Sequence, residues 1–110
     1  MRRLDPQTES AVRSYLARVP TELKIEKAIV FGSRARGDNR PDSDADLALI
    51  FDRGNEWPIV GLLAGLAFDI LMETGILVQP VPISSLDWAH PEQFPRPGFL
   101  RNVAREGIAV

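Results

Sequence analysis

The sequence predicts a mixed α/β layer of the α+β kind, in which a small mixed sheet of three or four strands packs against helices. Two observations carry that expectation. Short apolar runs of strand length recur near residues 28–31, 47–51 and 76–83, and segments with helical spacing of apolar residues alternate with them. Charged residues make up 25% of the chain and hydrophobic ones 45%, an ordinary globular balance that excludes a disordered or fibrous class. At 110 residues the chain fits one domain, residues 1–110, around a single core.

The first helix starts at Asp5-Pro6, an aspartate cap followed by a proline in the first turn, where its missing N–H costs nothing. Ala11, Tyr15, Leu16 and Val19 then recur at helical spacing until Pro20. Residues 24–31 form the first strand, whose apolar run Ala28-Ile29-Val30-Phe31 ends at Gly32. Residues 34–43 hold Gly37, Asp38, Asn39, Pro41 and Asp42, turn formers that cannot sustain a long helix, so a helical turn over residues 33–36 gives way to a loop. Residues 44–51 alternate, with Leu47, Leu49 and Phe51 on one face and Asp44, Asp46, Ala48 and Ile50 on the other. This second strand begins with its carboxylates.

Asn55 opens a long helix, and Ile59, Leu62, Leu63, Leu66, Ile70 and Leu71 cover well over one stripe of it. A buried core helix stopped by Gly75 is the expectation. Residues 76–83 form a third strand, pushed to an edge because Pro80 and Pro82 remove two ladder donors. After Trp88 the chain turns irregular through Pro91, Pro95 and Pro97, and a last helix over residues 99–105 buries Phe99, Leu100 and Val103 before Gly107.

Thirteen Lys+Arg against fifteen Asp+Glu give a net charge of -2, without the basic excess that grips nucleic-acid phosphates. Direct nucleic-acid binding is not expected. Cysteine is absent, which excludes disulfides, thiolate metal sites and a cysteine nucleophile and suits a reducing compartment. Met1-Arg2-Arg3 runs into polar residues rather than the apolar stretch of an export signal, and the longest apolar run, residues 59–71, contains Asp69 and falls short of the roughly twenty residues that span a bilayer. A cytoplasmic location without a membrane partner follows as the expectation.

The informative segment runs from Gly32 to Asp46. Gly32 lets the backbone approach a phosphate with no Cβ in the way, and Ser33 offers a hydroxyl and an amide at the start of a helical turn, where anions are favoured. Asp44 and Asp46, two apart on a strand, leave the same face roughly 7 Å apart at their Cβ atoms, close enough to share a hard cation. Mg²⁺ between them and a nucleoside triphosphate neutralises charge as the α-phosphate is attacked. Arg34, Arg36 and Arg40, lying between cradle and carboxylates, are candidates to contact the triphosphate. Gly-Ser after a strand is by itself usually a turn, and Asp-x-Asp by itself is commonly a solvated strand start. Strand, Gly-Ser, ten residues and Asp-x-Asp opening a second strand is a combination that turn chemistry and solvation do not require.

These residues resemble the signature of the minimal nucleotidyltransferases of the DNA polymerase beta superfamily: Gly-Ser, ten residues, Asp-x-Asp, matched here without a gap. The resemblance covers residues 28–50 closely and the strand-helix-strand order to about residue 83 more loosely. It implies a nucleotidyltransferase fold, Mg²⁺ and ATP as cofactors, Gly32 and Ser33 on the triphosphate with Arg34 and Arg36 beside them, and Asp44 and Asp46 as catalytic metal ligands. Such proteins pair with a HEPN-family RNase toxin, so the resemblance also implies an antitoxin that transfers AMP to that partner. Family members usually carry a third carboxylate on the strand after the long helix. Here Gln79 falls at that place, and its amide can lend an oxygen to a metal but cannot accept a proton.

Two other readings follow. A catalytically weak antitoxin that neutralises its toxin by occupying it is favoured by Gln79. A small-molecule nucleotidyltransferase is the third reading, and it usually needs a further helical domain. Asp52 is no substitute for the missing carboxylate, being about 20 Å along the strand from Asp46. Asp69 and Glu73 read as the solvated edge of the long helix, His90 as a surface or capping residue, Arg101 and Arg105 as the wet face of the last helix, and Trp57, Trp88, Phe94 and Phe99 as core and loop anchors.

Overall fold

The computed structural model describes residues 3–52 and 59–110. Helix α1 (Pro6–Arg18) leads into strand β1 (Ile25–Phe31), the helical turn α2 (Ser33–Arg36) and strand β2 (Ala45–Phe51). Helix α3 (Ile59–Thr74), strand β3 (Val78–Ser84), helix α4 (Ser85–Ala89), helix α5 (Pro97–Glu106) and the short strand β4 (Ile108–Ala109) complete the order. The sheet runs β3-β2-β1-β4, with β1 antiparallel to β2 and β4, and β3 parallel to β2. It is the mixed α/β arrangement expected, with four strands.

Local chemistry explains the element ends. The Asp5 carboxylate accepts from the Thr8 amide at 2.9 Å and caps α1, with Pro6 in the first turn. Gly75 takes φ 78° directly after α3, a left-handed stop that a side chain resists. Ser84 caps α4, its hydroxyl accepting from the Asp87 amide at 3.1 Å. That helix and β4 lie in stretches whose apolar pattern is too short to announce them.

Alternation along the strands feeds two cores. Ala28, Val30, Leu47, Leu49 and Val78 pack under α1 and α3 with Tyr15, Leu63 and Ile70. Ile29, Ala48, Ile50 and Ile83 face the other way, onto Leu100 and Val103 of α5, with Trp88, Phe94 and Phe99 packed around them. The Tyr15 hydroxyl donates to the Leu63 carbonyl at 3.1 Å, and burial pushes that phenol well above its usual range. Arg18 holds Glu73 with a forked ion pair, which ties the end of α1 to the end of α3.

The expectation of a buried core helix at α3 is corrected in part. Leu63, Ala67 and Ile70 are buried, yet Val60, Phe68 and Met72 are 72%, 58% and 65% exposed on the outer side. The helix is apolar nearly all round, and among the described residues its sheet- and α1-facing side is the packed one. Asn55 and Trp57 lie outside the described residues. Among those described, no helix is long and apolar enough to cross a membrane.

Candidate nucleotide site

Strand β1 delivers the chain to Gly32, whose φ of 75° turns it into α2. The Gly32 carbonyl accepts from the amides of Ala35 and Arg36 at 3.1 and 3.0 Å and closes that turn. A Cβ on Gly32 would run into the carboxylate of Asp46. Glycine is therefore required twice, by the backbone angle and by the acid it lies against. Cradle and carboxylate, separated in sequence by the whole loop, are in contact in space.

Asp46 sits on β2 between Phe31 of β1 and Gln79 of β3, which are its direct partners in the two ladders. Partners across a ladder share a sheet face, so Gln79 stands beside Asp46 on the face the alternation predicts. Gln79 is exposed and Asp46 half-buried. Asp44 is exposed and lies just before β2 begins at Ala45, one residue later than the sequence suggests. Burial, with the negative charge of Asp44 added to it, holds the Asp46 carboxyl above the usual aspartate range against the pull of Arg36. Such a pair has the hard oxygen donors and the uncompensated charge that suit a divalent cation. Among the described residues no group of three or more carboxylate, imidazole or thiolate side chains gathers as a metal site, in keeping with an amide at position 79.

The arginines divide. Arg36 is exposed and pairs with Asp38 at 3.2 Å and Glu106 at 3.4 Å, within electrostatic reach of Asp46. Arg40 is exposed on the loop, where its amide donates to the Ser43 hydroxyl at 3.0 Å. Arg34 is only 4% exposed, and its guanidinium donates to Thr8 Oγ1 and to the carbonyls of Pro41 and Ser43. Arg34, expected beside the triphosphate, is buried in this structure with one donor on α1 and two on the loop. Sequence reasoning saw Asp5 only as a cap and had no signal for Thr8. Neither the pairing of Phe31 with Asp46, which depends on register, nor the Glu106 contact of Arg36, 70 residues away in sequence, was available from periodicity.

The family described as polymerase beta, nucleotidyltransferase matches residues 13–109, a span that contains the cradle, both carboxylates and all four strands. The chain belongs to that family. Membership of the polymerase beta nucleotidyltransferases makes nucleotidyl transfer the general activity and a nucleotide the expected substrate. No curated protein matches the chain. Among solved structures it is similar to a Sulfolobus solfataricus protein provisionally named a nucleotidyltransferase, with 18% identity and a TM-score of 0.49 over 97% of this chain and 87% of that one. His90, by contrast, is exposed beside Glu92 and joins no site.

Proposed function

We propose that this chain is a Mg²⁺-dependent nucleotidyltransferase that transfers AMP from ATP to a partner protein, the antitoxin of a HEPN-family toxin. The observation that carries the reading is the contact between Gly32 and the Asp46 carboxylate, which joins the phosphate-binding turn to the acidic pair. Asp44 and Asp46 would hold the cation, which when bound supplies charge neutralisation at the α-phosphate. Gly32 and Ser33 grip the polyphosphate, and Arg36 can exchange its acidic partners for phosphate oxygens. In the reaction the acceptor hydroxyl attacks the α-phosphorus, the bond to pyrophosphate breaks, and the hydroxyl proton must leave. Gln79 cannot take that proton, so it passes to solvent and transfer is slow.

The exposed apolar side of α3 supports a protein partner, since Val60, Phe68 and Met72 are costly to leave in water. Co-expression with the neighbouring gene product should give a stable complex, and labelled AMP from α-labelled ATP should appear on the partner only with Mg²⁺. Asp44→Asn with Asp46→Asn should abolish both transfer and the enhancement of ATP binding by Mg²⁺ in calorimetry. Unchanged Mg²⁺-ATP affinity in that variant would remove these residues from the site. The second reading, an antitoxin acting by occupancy alone, is favoured by the placement of Gln79 beside Asp46. A wild-type complex that silences the partner with no AMP transfer would select it.

A further inference from the structure

We propose that Arg34 is a positioning residue that sets the spacing between the phosphate cradle and Asp44. The inference rests on reading the site as one for a metal-bound nucleotide. Arg34 follows Ser33 directly, and its Nε donates at 2.9 Å to the carbonyl of Ser43, the residue directly before Asp44. One side chain therefore links the neighbour of the cradle to the neighbour of the acid, short-circuiting the loop between them. A second nitrogen of the same planar fork donates at 3.0 Å to the Pro41 carbonyl. The remaining arm donates at 2.8 Å to Thr8 Oγ1, whose own hydroxyl donates at 2.7 Å to Asp5.

The fork is thus held from the start of α1 and in turn holds the loop. On the far side of Asp44 the Ala45 amide donates to the Leu77 carbonyl at 2.8 Å. Asp44 is pinned on both flanks while its own side chain stays exposed, as a ligand awaiting a cation should be. Among the described residues only Thr8, Arg34 and Ser84 are buried polar side chains, and two of the three build this link. The buried guanidinium feels the Asp5 carboxylate electrostatically through the Thr8 bridge, and the two donors it spends on loop carbonyls add the order that a metal ligand on a loop lacks. Lysine cannot reproduce the geometry, because a single ammonium cannot reach carbonyls two residues apart as a fork does.

The test measures ATP binding by calorimetry with and without Mg²⁺, with thermal unfolding alongside, for wild type, Arg34→Lys, Arg34→Gln and Val103→Ala. Val103→Ala opens a cavity in the core beneath α5, on the sheet face away from α1, and serves as a destabilised control. The expected result is that both Arg34 variants lose roughly ten- to hundredfold of the Mg²⁺ enhancement, with metal-free ATP binding little changed. Val103→Ala should keep the full enhancement despite a lower melting temperature. Arg34 variants that couple Mg²⁺ and ATP as wild type does would overturn the proposal alone. So would a Val103→Ala variant that loses coupling in step with its stability. A wild type with no Mg²⁺ enhancement at all would remove the reading of the site and the proposal together.

Discussion

Asp46 shows at the scale of one residue how function costs stability. Its folded carboxyl is held above its unfolded value, so the native state binds the proton more tightly and stability falls as pH rises through that window. Asp46→Asn should therefore raise the melting temperature at neutral pH without divalent cations, and the gain should vanish below the ordinary aspartate range, where both forms are neutral. Added Mg²⁺ with ATP should narrow the difference by stabilising wild type alone. Scanning calorimetry across pH checks this; a variant no more stable than wild type at neutral pH would contradict it. Gln79→Asp is the complementary change. Because position 79 is exposed and directly partnered with Asp46, the new carboxylate is hydrated rather than buried, and unfolding should shift little once Mg²⁺ is present. Single-turnover AMP transfer should rise roughly a hundredfold, the low side of what a positioned base contributes.

At the scale of elements, the two edges of the sheet are protected differently. Pro80 and Pro82 lie at alternate positions of β3, so both missing N–H groups are on one side of the strand. Since β3 keeps its ladder with β2, that side is the open one, and a further strand finds few donors there. Pro80→Val with Pro82→Val should restore donors and promote self-association, seen as a rise in light scattering at unchanged helicity. On the other edge Gly107 lets β4 lie close to β1. A Cβ there would meet the Ile29 side chain and the Val103 carbonyl. Its φ of -72° suits any residue, so its requirement is space and not backbone freedom. Gly107→Ala should cost about 1–3 kcal/mol in denaturant unfolding through overpacking.

At the scale of the whole molecule, the sheet is covered on both faces, but among the described residues α3 is packed on one side and exposes Val60, Phe68 and Met72 on the other. Phe68→Gln should consequently leave folding stability within about 0.5 kcal/mol of wild type, as substitutions outside the core do. A loss as large as that of a core truncation, measured by denaturant titration, would mean that Phe68 is packed. The site occupies the end of the sheet where β1 ends and β2 and β3 begin, so its parts come from three strands and a turn backed by both cores.

The sequence by itself determined whatever depends on neighbours along the chain. Strand parity put Asp46, Ala48 and Ile50 on one face; the Asp5-Pro6 cap, the Gly32-Ser33 turn and the stop at Gly75 follow from local dihedral preferences. Tertiary structure alone decided what depends on distant partners. Arg34 carries the same charge as Arg36 and lies two residues away, yet it turns inward because Thr8, 26 residues earlier, and the loop carbonyls offer acceptors that periodicity does not reveal. Gln79, which the resemblance put at the third-carboxylate position, stands beside Asp46 through the parallel register of β2 and β3, which periodicity does not reveal. Among the described residues no element covers the outer face of α3 at Val60, Phe68 and Met72, and hydrophobic pattern records which side chains prefer burial, whereas burial itself needs a second surface.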